Sequence, residues 1–280
     1  MSGFTLLYNL YMKILSLFDG ISCGRIALER AGIPVEEYYA SEIKEDAIKV
    51  SKDNYKDIIH LGDVTKITKD SVGGGIDLLI GGSPCQSFSN AGNREGFNGK
   101  SGLFYEYVRL LKELKPKYFL LENVKMKKEW QDIISKELGV EPININSKLV
   151  SAQLRNRFYW TNIPNVTQPK DKGILLKDIL DDGFTDREKA RAILESESRP
   201  LVTKKNMYRR YSETGFTTIV HEKSLKDTEN IRYFTQTELE KLQTLPVGYT
   251  KCLTRNKAAG CIGDGWTVDV IAHILSFIPY

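Results

Sequence analysis

Short apolar runs alternate with segments of helical periodicity from residue 13 to about residue 163. The runs that predict strands are KILSLF at 13–18, VEEYYASEI at 35–43, IIHLGDV at 58–64, IDLLIGG at 76–82 and KYFLLENV at 117–124. The segments between them, such as LFYEYVRLLKELK at 103–115, predict helices. Strands that alternate with helices form a parallel sheet covered on both faces. The chain is therefore predicted to have an α/β fold with a mainly parallel sheet.

The alternation stops after IPNVTQP at 163–169. The following stretch is polar and charged until a helical pattern returns in TQTELEKLQTL at 235–245. A long stretch without regular elements indicates a second, smaller unit or a functional insertion. We expect three parts, which are a main domain over residues 1–163, a smaller region over 164–250, and a segment over 251–280 that returns to the main domain.

The cysteines and the apolar runs exclude several classes of protein. Cysteines at 23, 85, 252 and 261 form no CxxC pair and have no metal-ligand spacing with the three histidines, so we expect free thiols and no metal. No apolar run approaches the roughly 18 residues of a membrane span. The opening MSGFTLLYNLYMKILSLF lacks a basic segment and a cleavage site, which indicates a cytoplasmic protein without a membrane partner. Met12 is an alternative start, with residues 1–11 as a loose extension.

A basic run lies in the middle of the smaller region. RPLVTKKNMYRRY at 199–211 carries five basic residues and no acid, and Tyr208 and Tyr211 interleave with them. The net charge of +4 is too small to indicate a partner by itself. The run fits either a solvated face or contact with a nucleic acid.

Acids and glycines follow the first three predicted strands. FDGISCG has glycines at 20 and 24 where strand meets helix, but the spacing is not GxGxxG, so a phosphate ligand is not indicated. Glu42 suits the two hydroxyls of a ribose, and Asp63 is placed to accept from an exocyclic amine. Each acid alone is also compatible with an ordinary loop. Together they predict a pocket for an adenosine-bearing cofactor.

A cysteine, an acid and two arginines occur at later strand ends. GGSPCQSFSN at 81–90 places Cys85 where open α/β sheets bind ligands, although free cysteines are also often buried. Glu122 ends the strand expected to neighbour Cys85, as a buried acid or a loop acid. Arg155 and Arg157 share one face if FYW continues a strand, and such a pair can orient an acid or bind a carbonyl oxygen.

These motifs, taken in order, resemble the DNA cytosine-5 methyltransferases. The matching stretches are FDGISCG, SE at 41–42, GDV at 62–64, GGSPCQ, ENV at 122–124, QLRNR and GDGWTVDVI. The SPC spelling, the GDGWTVDVIAHI ending and the short middle are similar to the catalytic domains of animal de novo methyltransferases and to small phage or bacterial solitary enzymes. The resemblance implies a Rossmann-like fold dependent on S-adenosylmethionine. It makes residues 1–163 the catalytic and cofactor-binding domain and 164–250 a small target recognition region.

The resemblance also assigns individual residues. It implies catalytic roles for Cys85 as nucleophile, for Glu122 as the acid at cytosine N3 and N4, and for Arg155 and Arg157 as supports for the base and for Glu122. It implies that S-adenosylmethionine, whose product is S-adenosylhomocysteine, is bound by Phe18, Asp19, Gly20, Ile21, Gly24, Glu42, Ile43, Asp63, Val64, Pro84, Leu103, Asp264 and Trp266. The residues expected to contact double-stranded DNA are Ser87, Ala91, Arg94, Lys204, Arg209 and Arg210. Asn123 resembles the residue that holds the loop carrying Cys85.

The implied reaction explains the need for a thiol. The Cys85 thiolate adds to C6 of a flipped-out cytosine, which makes C5 nucleophilic enough to accept a methyl group. The glycine-rich and asparagine-rich segment at 86–102 is expected to close as a lid.

Two positions depart from the family pattern. Asp264 stands where many members have asparagine, and Ala91 fills little of an emptied base stack. Two alternatives stay open, an RNA (tRNA) cytosine-5 methyltransferase of the same fold and a catalytically silent DNA-binding homologue. The recognised bases and the oligomeric state are also open.

Overall fold

The computed structural model describes residues 11–84, 100–194, 198–215 and 217–279. Its strands are β1 (Met12–Leu17), β2 (Val35–Ser41), β3 (Ile58–His60), β4 (Leu78–Gly81), β5 (Tyr118–Val124), β6 (Ile143–Asn146), β7 (Gln153–Leu154), β8 (Asn156–Thr161), β9 (Ala190–Arg191), β10 (Val220–His221) and β11 (Ile231–Arg232). Its helices are α1 (Cys23–Arg30), α2 (Glu45–Asn54), α3 (Phe104–Leu114), α4 (Lys128–Leu138), α5 (Lys204–Arg209), α6 (Gln236–Leu242), α7 (Arg255–Asp264) and α8 (Val268–Leu275). Among these residues, no helix is long and apolar enough to cross a membrane.

Seven strands form the main sheet in the order β3-β2-β1-β4-β5-β8-β6. Neighbouring strands from β3 to β5 are parallel, and β8 runs antiparallel to β5 and β6. The prediction of an α/β fold with a mainly parallel sheet is therefore confirmed. The chain fills one side of the sheet with β2 and β3 and the other with β4 and β5, so the strand order reverses between β1 and β4. A crevice opens beyond the strand ends at such a point, and ligands bind there.

Both faces of the sheet are buried, because helices cover each of them. Ile14 and Leu15 are adjacent in β1 and belong to two different hydrophobic clusters, one on each face. The first cluster includes the buried residues of α1 and α8, and the second includes those of α3 and α4. The side chains at the strand ends are therefore positioned by strands that are packed on both faces.

The third strand is shorter than its apolar pattern predicts. β3 ends at His60, and Gly62 has a left-handed φ of 74°. Glycine adopts this conformation at little cost, and it turns the chain out of the sheet. Asp63 then caps a short 3₁₀ turn, Val64–Lys66, instead of ending the strand.

The region from 164 to 250 contributes to two hydrophobic cores. A small satellite core contains Met207, Tyr211, Ile219 and Ile231. The α6 helix belongs elsewhere, because its Leu239 and Leu242 join the main cluster on the first face of the sheet. The core that is separate from the main sheet therefore lies within residues 207–231, in the middle of the region.

Candidate functional site

The turn after β1 is built from left-handed residues. Phe18, Gly20 and Ser22 have φ angles of 56°, 60° and 61°. Left-handed conformations at non-glycine residues carry strain and cluster at functional sites. Gly24 follows in α1, where an added Cβ would lie 2.5 Å from Ile80 Cδ1 and 2.9 Å from the Tyr38 hydroxyl. The absence of a side chain at Gly24 therefore lets α1 pack directly against the sheet.

Asp19 is the buried acid of this turn. Its carboxylate accepts hydrogen bonds from Ser22 Oγ at 2.5 Å and from the Tyr38 hydroxyl at 2.7 Å. Burial outweighs these bonds and raises the pKa of Asp19 to about 6. The side chain of Ile21 is fully buried, and its carbonyl accepts from the Tyr249 hydroxyl at 2.7 Å. The buried contacts of Asp19 and Ile21 therefore fix the conformation of the turn.

Glu42 joins the end of β2 to the same turn. Its Oε2 accepts from the Gly20 N–H at 2.8 Å, and its Oε1 accepts from the N–H groups of Ile43 and Lys44 at 2.8 and 2.9 Å. A carboxylate has about four acceptor positions, so one on Oε2 is still available to a ligand hydroxyl. Ile43 beside it is 71% exposed, which offers an apolar surface to a ligand ring.

Asp63 and Asp264 are the other acids near these loops. Asp63 accepts from the N–H and hydroxyl of Thr65 at 3.0 and 2.9 Å, and these bonds lower the pKa of its exposed carboxyl. Val64 beside it is buried. Asp264, at the end of α7, forms an ion pair with Lys44 Nζ at 2.5 Å. The structure therefore ties Asp264 to the Glu42 loop through Lys44.

The carboxylates of Glu42 and Asp63 supply hydrogen-bond acceptors for hydroxyls and an amine, and the exposed Ile43 supplies an apolar surface for a flat ring. Those groups belong to the adenosine part of S-adenosylmethionine, so the residues present fit that cofactor. Leu103 and Pro84, also expected at this pocket, are partly buried. Cys85 follows Pro84 directly and lies outside the described residues, as do Ser87, Ala91 and Arg94.

Glu122, the predicted acid, lies near the end of β5 and is only 9% exposed. Arg157 on β8 places its Nε 2.9 Å from Glu122 Oε1. The indole Nε1 of Trp266 donates to the other oxygen, Oε2, at 3.2 Å. The sequence places Trp266 only in the cofactor pocket, and the structure shows that its indole contacts the acid. Glu122 therefore has a guanidinium cation beside one carboxylate oxygen and an N–H donor on the other.

Two further residues fix the surroundings of Glu122. Asn123 is buried and donates through Nδ2 to the hydroxyl and carbonyl oxygens of Ser83, at 3.1 and 3.4 Å. Gly82 has no role assigned from the sequence, although the paired glycines of GGSPC are a signal for close approach. A Cβ there would lie 2.9 Å from Trp266 Nε1 and 3.1 Å from Glu122 Oε2. The segment that leads to Cys85 therefore passes directly beside the acid.

The structure separates the two arginines of QLRNR. Arg155 lies between β7 and β8, so the pair does not continue one strand. Its guanidinium donates to the carbonyl oxygens of Ile193, Gly263 and Gly265, at 3.3, 3.3 and 2.9 Å. Among the contacts described, Arg157 reaches Glu122 directly, and Arg155 instead holds the backbone that precedes Trp266. The sequence cannot show this, because Gly265 is 110 residues away from Arg155.

The basic run lies on α5 and the turn that follows it. Thr203 caps α5 by accepting from the Asn206 N–H. Lys204 Nζ donates to the carbonyl oxygen of Ile231 in β11. Arg209 is exposed and Arg210 is half-buried. No cluster of metal-ligating side chains occurs within the described ranges.

Comparison with known proteins gives one matching family and several relatives. The sequence model of the C-5 cytosine-specific DNA methylase family matches residues 12–159. The chain is 45% identical over 117 residues to the orphan methyltransferase M.SPRI of Bacillus phage SPR, a match that covers 41% of this chain and 26% of that protein. It is 45% identical over 114 residues to the Type II methyltransferase M1.ScrFI of Lactococcus lactis subsp. cremoris, which covers 40% and 28%. The match spans about a quarter of the length of these curated relatives.

The fold has a solved counterpart that spans almost the whole chain. The Entamoeba histolytica methyltransferase EhMeth superimposes with a TM-score of 0.73 and covers 96% of this chain and 98% of its own. The two sequences are 18% identical, so this likeness shows the shared fold.

Proposed function

The chain belongs to the C-5 cytosine-specific DNA methylase family, and on that premise we propose that it transfers a methyl group from S-adenosylmethionine to C5 of cytosine in double-stranded DNA. One observation carries the proposal. A buried acid, Glu122, is held by Arg157 and lies beside Gly82, three residues before Cys85. This juxtaposition supports an acid and a thiol that act on opposite parts of one flat base.

The cofactor site of the proposal lies where the strand order reverses. Glu42 would bind the ribose hydroxyls, Asp63 would accept from the adenine amine, and Ile43 would pack on the adenine ring. The turn from Phe18 to Ser22 would lie against the rest of the molecule, with Gly20 held to Glu42 by a hydrogen bond. S-Adenosylmethionine, when bound, supplies the methyl group that C5 accepts.

Cys85 is proposed to form a covalent bond to the base. Its thiolate adds to C6, the C5–C6 double bond opens, and a proton from Glu122 reaches N3 as charge develops there. The electron pair then becomes available at C5, which takes the methyl group. Glu122 takes the N3 proton back, the C5 proton passes to water, and departure of the Cys85 thiolate restores the double bond and releases 5-methylcytosine. Arg157 keeps Glu122 in place during these steps.

Residues 164–250 are proposed as the target recognition region. Lys204 and Arg209 on α5 and Arg210 directly after it supply positive charge for phosphates. Phosphate contacts position the protein without reading sequence. Cytosine C6 is stacked inside a duplex, so the base must be flipped out at a cost of roughly a few kcal/mol. Ser87, Ala91 and Arg94 are proposed to contact the DNA at this step.

Transfer of labelled methyl from S-adenosylmethionine to unmethylated duplex DNA and to transfer RNA tests the proposal, with products digested to nucleosides. We expect label in 5-methyldeoxycytidine with the native chain, none with Cys85→Ala, and label again with Cys252→Ala, the matched control at a half-buried cysteine. Label only in RNA identifies the RNA methyltransferase alternative. Cofactor binding without any label identifies the silent homologue.

A further inference from the structure

Trp266 holds one oxygen of the acid Glu122, and Arg155 holds the peptide that carries Trp266. We propose that Trp266 is a positioning residue for Glu122 and that Arg155 acts on the acid through it. This inference rests on the proposed function, because it concerns the acid of that reaction. Both arginines of QLRNR then act on Glu122. Arg157 contacts it directly, and Arg155 acts through the backbone that carries Trp266.

The first step of the argument is the division of the two carboxylate oxygens. Arg157 Nε lies 2.9 Å from Oε1, and Trp266 Nε1 donates to Oε2 at 3.2 Å. The terminal torsion of a glutamate side chain is broad, so one donor alone leaves the carboxyl plane free to turn. The ion pair at one oxygen and the indole N–H at the other together fix that plane. Both Glu122 and Trp266 are less than a tenth exposed, so water does not compete strongly for these oxygens.

The second step concerns the space in which the indole reaches the acid. An added Cβ on Gly82 would lie 2.9 Å from Trp266 Nε1 and 3.1 Å from Glu122 Oε2, so this hydrogen bond passes directly over Gly82. The other end of the indole lies over Gly24, where an added Cβ would meet Trp266 Cζ3 at 3.5 Å. Gly82 just after β4 and Gly24 in α1 therefore leave the space in which the Trp266 ring lies.

The third step is the anchor of the Trp266 backbone. The carbonyl of Gly265 accepts from Arg155 Nη2 at 2.9 Å and from Gln243 Nε2 at 3.1 Å. Both donors are buried, with Arg155 4% exposed and Gln243 fully covered. Thr267, on the other side of Trp266, donates to Gln243 Oε1 at 2.7 Å. The carbonyl before Trp266 and the side chain after it are thus held by one buried network.

The contact itself is tested without turnover. The chain has three tryptophans, so an isotope-labelled sample gives three indole N–H resonances. We expect Glu122→Gln to move the Trp266 resonance and to leave those of Trp130 and Trp160 unchanged, since both of these rings pack in the cluster on the other face of the sheet. A Trp266 resonance that stays in place in Glu122→Gln overturns the proposal.

Kinetics test whether the contact positions the acid. Trp266→Phe keeps an aromatic ring and removes the indole N–H. We therefore expect kcat to fall about tenfold, as for one lost hydrogen bond to a charged group. Because phenylalanine keeps an aromatic ring in the cofactor pocket, the KM for S-adenosylmethionine should change by a smaller factor than kcat. Trp130→Phe, on the partly exposed face of α4, is the matched control with unchanged kcat. A loss in Trp266→Phe that falls on the cofactor KM alone overturns the positioning role.

A second variant covers the case in which Trp266→Phe disturbs folding. Gly82→Ala keeps both Trp266 and Glu122 in the sequence, but its added methyl group pushes their side chains apart. We therefore expect kcat to fall and the Trp266 resonance to move. Because Trp266→Phe and Gly82→Ala break the same contact, their effects on kcat should be clearly less than additive in the variant that carries both substitutions. Full additivity contradicts the proposal. A native chain without methyl transfer whose Trp266 resonance still responds to Glu122→Gln would reject the proposed function alone.

Discussion

Asn123 donates through its side-chain amide to Ser83, two residues before Cys85. The Oδ1 atom of Asn123 also accepts from the Val124 N–H at 2.8 Å, so the side chain is fixed at both ends. The end of β5 therefore sets the position of the chain that leaves β4. Through this contact, the backbone that carries the proposed nucleophile is tied to the strand that carries the proposed acid.

Asn123→Ala should impair both stability and catalysis. Loss of the amide leaves the buried oxygens of Ser83 unpaired, which costs roughly 1–3 kcal/mol in the free energy of unfolding. Because Ser83 leads to Cys85, we also expect a large fall in kcat. Asn162→Ala is the matched control, since Asn162 makes the same kind of contacts to Lys117 and Phe119 at the other end of β5. Urea unfolding and methyl transfer, measured on both variants, should show stability loss in both and kcat loss only in Asn123→Ala.

Asp19 should make stability depend on pH. The folded protein holds the Asp19 proton up to a pKa of about 6, whereas the unfolded chain releases it near the ordinary value of 3.8. Between these values the folded state binds more protons, so stability falls as the pH rises through this window and levels off above it. Compared with Asp19→Asn, the native chain should lose about 2 kcal/mol in the free energy of unfolding between pH 4 and pH 7. A difference between the two proteins that is constant over this range contradicts the assignment.

Arg232 should be essential for the packing of α6. It forms two contacts with the fully buried Glu238, at 2.8 and 2.9 Å. Arg232→Ala leaves that carboxylate buried without a cation, which destabilises proteins by about 3–5 kcal/mol. Lys112→Ala breaks the exposed pair with Glu137 and should cost less than about 1 kcal/mol. Equal losses for the two variants in urea unfolding would show that burial does not set the difference.

Arg209 should contribute to DNA affinity in a salt-dependent way. If it neutralises one phosphate, Arg209→Ala should weaken binding similarly for all duplex sequences and reduce the slope of log affinity against log salt by about 0.9. The control is Lys128→Ala, which removes an exposed charge from α4. Equilibrium binding at four salt concentrations measures the slope. The same slope in Arg209→Ala and the native chain would place the basic run away from DNA.

Local patterns of the sequence predict the sheet and most strand ends. The apolar run before Glu122 is β5, and the helical pattern TQTELEKLQTL forms α6, which Thr235 caps by accepting from the Glu238 N–H. These features depend on residues a few positions apart. Asp63 shows the limit of the method, since the apolar pattern continues past His60 while the left-handed Gly62 ends the strand.

Contacts between distant segments are outside the reach of these patterns. Trp266 and Glu122 are 144 residues apart, and no periodicity links them. Arg155 and Arg157 look equivalent in QLRNR, yet the break between β7 and β8 sends them to different partners. The sequence can supply the residue types of the site, whereas the assignment of each donor to an oxygen needs the folded chain.

The central claim is that Cys85 adds to cytosine C6 beside Glu122, and a trapped adduct tests it most directly. A duplex in which 5-fluorodeoxycytidine replaces deoxycytidine has no C5 proton to lose, so the Cys85 thiolate cannot depart after methylation. With S-adenosylmethionine present, the account predicts a denaturation-resistant complex whose mass is the sum of the chain, the fluorine-substituted strand and one methyl group. Cys85→Ala should form none. Methylation of ordinary DNA without a trapped complex, or a complex that persists in Cys85→Ala, would contradict the account.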